Sequence, residues 1–220
     1  KKENIFQTNF LYTFILAILI IGILMIPYII SYLRTPENYT FIGFDSSPNV
    51  AGSVSDADLF SYIAKMRQGY EGNILYQNRY TIEESSPTAL FIFYTILGNL
   101  SRFFSVNLVL FYFIANYICD LILILGLGLF NSHFFKSKKW VLITIFMICF
   151  STGYSFLYIL FPGLSINQFG NDISADVIIP EFSTFTSIMD VCHFPFCISL
   201  MLFIFFIIIK NSENNLYYFL

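Results

Sequence analysis

A chain of 220 residues that is 57% hydrophobic, only 11% charged and of formal net charge −3 is not built like a soluble domain, where about 25% of residues are charged. Its slightly acidic balance gives no basis for nucleic-acid binding. Cys119, Cys149, Cys192 and Cys197 form no Cys-x-x-Cys pair, so they read as small apolar filler in helices rather than a zinc site.

In chain order, tracts of the roughly 20 apolar residues needed to cross a bilayer occur at Phe10–Ile30, Val106–Phe130, Trp140–Phe161 and Val191–Ile209. The first is too long and lacks a small-residue cleavage site, which argues against a signal peptide. Pro27 is expected to kink or end it, whereas Pro195 falls in a first turn, where its missing N–H costs little. Between the first two spans, Ala89–Leu97 would reach only about 14 Å as a helix, against an apolar core of about 30 Å. The segment Thr88–Phe104 therefore reads as a short, re-entrant or interfacial helix. If it does not cross, Lys136, Lys138, Lys139 and Lys210 share the cytoplasmic side with Lys1 and Lys2, as positive-inside bias favours. The loops Ser31–Pro87 and Pro162–Cys192 then both face outward. The reading is all-α and polytopic: one membrane domain over residues 1–220, the N-terminal part of a longer chain in the cell membrane.

Within the first loop, Asp56–Gln68 reads as a helix flat on the membrane. Leu59, Ile63, Met66 and Tyr70 recur at i, i+4, i+7 and i+11, one helical face. Gly69 and Gly72 are expected to end it, and NILYQNRYT to continue irregularly. Ser55 with Asp58 three residues on fits a capping box, and acids in a first turn complement the helix dipole. Asp56 and Asp58 point about 200° apart at 3.6 residues per turn, so one carboxylate, not both, can serve a reaction centre.

Asp58, Tyr62, Gly69, Gly72, Glu83-Glu84, Pro87 and Gly98 occur in that order after the first span. This pattern resembles the GT-C superfamily of membrane glycosyltransferases, nearest to protein mannosyltransferases and aminoarabinose transferases, and the resemblance covers Phe10 to about Phe130. The family's Asp-Glu dipeptide is Asp58-Leu59 here, and its double proline is Pro87 alone, which leaves subfamily and metal open. The resemblance implies a GT-C-like bundle with extracytoplasmic interfacial helices, moving a sugar from a polyprenyl-phosphate donor to an extracytoplasmic acceptor. Asp58 is then the candidate base, with Asp56 the second catalytic candidate. Arg79, Lys65 and Arg67 are candidates for the leaving phosphate. Tyr62, Tyr76, Asn78 and Tyr80 are candidates for the sugar, and Glu83 or Glu84 for a sugar hydroxyl or a divalent cation. Headgroup contact is the competing role of Lys65 and Arg67.

In the second polar loop, Glu181 and His193 are candidates for acceptor or sugar, His193 doubling as an interfacial residue at a span's start. Asp120, inside a span, is costly there and marks a polar interior, with Asn116 or Arg102 as expected partner. The rival reading is a transporter or flippase component in which Asp120 and Arg102 line a path. Membrane lipids are partners on either reading.

Overall fold

Long runs of Ile, Leu and Phe leave the backbone essentially one way to satisfy its polar groups in lipid, the α-helix. A computed structural model describes residues 2–38, 54–151, 184, 187–188 and 191–216. Its helices are α1 (Lys2–Arg34), α2 (Val54–Tyr70), α3 (Ile92–Phe103), α4 (Leu108–Phe134), α5 (Lys138–Phe150) and α6 (His193–Leu216). Among the described residues the β-type pairing is one isolated antiparallel bridge, Tyr76 with Thr88. Among the described residues three stretches are long and apolar enough to cross a membrane: Phe10–Arg34, Leu108–Phe134 and His193–Asn211. This is a helical membrane protein.

The sequence expectations shift in instructive ways. Helix α1 does not stop at Pro27 but continues to Arg34. One lost hydrogen bond is cheaper than opening a run of backbone groups in an apolar phase. Helix α4 starts at Leu108 because Asn107 caps it: its Oδ1 accepts the N–H of Val109 at 2.9 Å and that of Leu110 at 3.4 Å. Helix α5 covers the first part of the expected span Trp140–Phe161 and ends at Phe150, with Ser151 extended; residues 152–161 lie outside the described residues. Pro195 sits in the first turn of α6, as expected. Helix α3, at 12 residues, is about 18 Å long and too short to cross as a helix.

The chain divides into two compact units, Lys1–Pro27 with Tyr117–Leu220, and Tyr28–Asn116. The first is built on an apolar cluster of Ala17, Ile20, Ile21 and Leu24 from α1 with Leu123, Ile124 and Leu127 from α4, joined by Val141, Ile145 and Cys149. There α1 and α4 approach closely where Thr13 meets Gly128, at which a Cβ would run into the threonine side chain.

In the second unit α2 and α3 cross on glycine. A Cβ on Gly69 would strike the Thr95 carbonyl, and one on Gly98 the Met66 carbonyl. Gly69 is therefore a contact inside α2, not the stop expected of it. Gly72, at φ +101°, makes the reversal, a conformation open to glycine and strained for other residues. Helix α2 also starts earlier than expected, at Val54, which puts Ser55 inside its first turn instead of at the cap. Its apolar stripe is divided: Met66, packed against Gly98 of α3, is fully buried, while Ile63 and Tyr70 are half-buried and line an open groove.

Candidate functional site

The segment after α2 is tied down by polar side chains rather than by a core. Gln68 Nε2 donates to the Gln77 carbonyl and Gln68 Oε1 accepts the Gln77 N–H, both at 2.9 Å. From α3, Thr95 Oγ1 donates to the Ile74 carbonyl at 2.6 Å, and Asn99 Nδ2 to the Asn73 carbonyl at 2.9 Å. The Tyr76–Thr88 bridge closes the loop, its two N–H···O bonds at 2.9 and 2.8 Å. A charged trio lies beside this clasp. Glu71 accepts from Arg67 Nε at 3.3 Å and from Arg79 Nη2 at 3.0 Å.

Arg79 first, and Arg67 second, hold the Glu71 carboxyl below its ordinary value of 4.5. A carboxylate held low in the folded state adds stability above its unfolded value and loses it as pH falls through the folded one. A spin label at Asn78 should therefore become more mobile as the solution is acidified past the ordinary carboxylate range. Glu71→Gln should be more mobile already at neutral pH and flat with pH. The amplitude should be small, because the pair is exposed and solvent-screened.

On the α3 side of α2, Lys65 is only 7% exposed. Its Nζ lies 3.8 Å from the Phe91 ring centre and 4.7 Å from that of Tyr62. Tyr62 stacks on Tyr94 with centroids 4.6 Å apart and planes 9° off parallel. Cation–π attraction of a partly desolvated ammonium is worth about 1–2 kcal/mol, which accounts for a lysine held at a helix crossing. On the other side, an open groove of about 560 Å³ is walled by Phe60, Ile63, Arg67 and Tyr70 of α2 and by residues 105–109, the turn into α4. That volume is in the range of small-molecule sites. Arg67 is the cationic group in its wall, 5.6 Å from the Tyr70 ring centre.

Register along α2 sorts the two acids, whose side chains lie outside the described residues. Positions 56, 60, 63 and 67 follow the i, i+4, i+7, i+11 spacing of one face, the groove face. Positions 58, 62, 65 and 69 follow it on the face packed against α3. Asp56 is thus in register with the groove, and Asp58 with Tyr62 and Lys65.

Of the other residues singled out from sequence, the structure joins Arg67 and Arg79 through Glu71 and joins Lys65 with Tyr62. Tyr76 is 6% exposed and meets Phe91 edge-on, with centroids 5.0 Å apart, so it packs the loop and offers no open face to a sugar. Asn78 Oδ1 caps its own turn by accepting the Tyr80 N–H at 3.0 Å. Tyr80, Glu83 and Glu84 are exposed and apart from the groove's lining. His193 opens α6 beside Phe194. Asp120 is 1% exposed and belongs to the first unit, Arg102 to the second. Glu181 lies outside the described residues. Among the described residues no three His, Cys, Asp or Glu side chains converge to hold a metal. Sequence reasoning missed Glu71, although Arg67-x-x-x-Glu71 is a visible i, i+4 pair, and missed Gln68, Asn99 and Asn107. Comparison with protein-family models, with curated proteins and with solved structures yields no match.

Proposed function

We propose that the protein is a membrane glycosyltransferase that takes a sugar from a polyprenyl-phosphate donor. One observation carries the reading: the groove beside the first turn of a candidate span, with an arginine in its wall; by sequence spacing Asp56 is in step with Phe60, Ile63 and Arg67. The lipid chain lies along Phe60, Ile63, Val106 and Val109, and the phosphate meets Arg67. The acceptor hydroxyl attacks the anomeric carbon as the bond to the phosphate oxygen breaks. Its proton goes to the carboxylate of Asp56, and the electron pair leaves with the polyprenyl phosphate, whose charge Arg67 offsets. The resemblance singles out Asp58 for the base; the groove favours Asp56.

The test is transfer by the purified chain in nanodiscs carrying radiolabelled polyprenyl-phosphate hexoses and pentoses, supplied with peptide, oligosaccharide and glycolipid acceptors, with release of label from the donor as the readout. Arg67→Gln should lower release about 10²-fold or more, as for loss of one charge-stabilising donor. No protein-dependent release from any donor would overturn the proposal. Movement of intact lipid-linked sugar between leaflets would instead favour the transporter reading, which draws on the burial of Asp120 in a candidate span.

A further inference from the structure

Helix α3 carries its apolar residues on the side away from the protein. The face against α2 holds Tyr94, Thr95, Gly98 and Ser101, all buried. On the opposite face Ile92 (38%), Ile96 (46%), Leu100 (39%) and Phe103 (79% exposed) form an open stripe. At 100° per residue these four fall within an arc of about 80°, centred nearly opposite the buried four. Leu90 and Phe104, both exposed, extend the stripe at its two ends. Among the described residues nothing covers it, and a contiguous apolar surface of this kind marks an interaction site.

What borders the stripe identifies its partner. Three guanidinium groups gather where α2 and α3 end: Arg67 and Arg79 on Glu71, and Arg102, whose Nη1 reaches to 3.2 Å from the Cβ position of Gly72. One carboxylate thus stands against three cations, and Arg102 has no ion pair among the described residues. Phe103 is followed after four residues by Leu108, the first residue of a candidate span. The end of α3 is therefore within about 18 Å of that span's first turn. An apolar phase bounded by anions, met at the mouth of a span, is the chemistry of a phospholipid leaflet.

We propose that α3 is seated in a leaflet containing anionic phospholipid, its stripe among the acyl chains and Arg67, Arg79 and Arg102 on lipid phosphates. Helix α2, packed on α3 at Gly69 and Gly98, is then held at the leaflet by α3 rather than by its own apolar stripe. The inference does not depend on transfer activity.

The test uses the full chain in nanodiscs, with exposed Cys197 replaced by serine and nitroxides placed at Ile96→Cys, Leu100→Cys and, as a water-side control, Gln77→Cys. Positions 96 and 100 are exposed, so labels there leave the α2–α3 crossing intact. Oxygen should relax labels 96 and 100 several-fold more effectively, relative to a water-soluble nickel chelate, than label 77. A dye at Phe103→Cys should be quenched more by brominated phosphatidylglycerol than by brominated phosphatidylcholine, and Arg79→Gln with Arg102→Gln should abolish the difference. Nickel access at 96 equal to that at 77 would overturn the proposal. Spin–spin broadening between copies at 96 would also overturn it, assigning the face to a second chain. Equal quenching by the two lipids would remove the anionic partner.

Discussion

Valine in place of Gly98 is expected to separate α2 from α3 and to lower the thermal midpoint of the detergent-solubilised protein more than valine at Gly72, and about as much as Gly69→Val. Overpacked sites typically lose about 1–3 kcal/mol. Here the obstacles are the Met66 carbonyl and the Tyr70 N, backbone atoms that cannot swing aside as a side chain can. The loss belongs at or above the upper end of that range. Gly69→Val meets the Thr95 backbone across the same crossing, so the double variant should lose much less than the sum of the two. Gly126→Ala is the control. Nothing lies within 4 Å of its Cβ position, and alanine is favoured over glycine inside a helix by about 1 kcal/mol, so the midpoint should hold or rise. A Gly98→Val protein that melts like the parent would mean that the helices do not cross on these glycines.

Those glycines also show where sequence reading stops. Gly69 followed by Gly72 looks like a double helix stop, and Gly98 looks like an interruption of an apolar run. Only Gly72 turns the chain; the other two allow backbone to approach backbone. The two uses of glycine are indistinguishable until the partner helix is known, and that partner is distant in sequence. Three of the four expected spans were legible because lipid imposes one solution on any apolar tract of sufficient length, and Pro27 did not end the first. The stripe of α2 was equally plain, but its direction was not: an amphipathic helix next to a membrane can turn its apolar side to lipid or to another helix. Met66, fully buried, records the second outcome, and the open stripe of α3 takes the place of the first. Lys65 read as a cation for a leaving phosphate or a lipid headgroup because its ring partners Phe91 and Tyr94 come from beyond the loop. The groove was invisible for the same reason, since half its wall is the turn at residues 105–109.

Asp56→Asn is expected to reduce sugar transfer about 10²–10⁴-fold, the range for loss of a positioned proton acceptor, while Asp58→Asn keeps most of it. Asparagine preserves shape and hydrogen bonding but cannot accept the acceptor's proton. With α2 beginning at Val54, Asp56 is the helix's third residue, so removing its charge also weakens a dipole contact worth about 0.3–1 kcal/mol. A small drop in melting midpoint must therefore accompany the loss of rate, and that drop is far too small to cause it. Asp58 lies beyond the first turn in this frame, which relieves it of the capping role that Ser55 suggested. Its spacing from Tyr62, Lys65 and Gly69 matches i, i+4, i+7 and i+11, and those three residues meet α3 or its N-terminal cap. Two carboxylates about 200° apart on one helix cannot both attend one anomeric carbon, so the pair of substitutions reads out which face of α2 holds the donor. Loss of transfer in Asp58→Asn with Asp56→Asn active would move the donor from the groove to the face shared with Tyr62 and Lys65, and Arg67 would then have no part in catalysis.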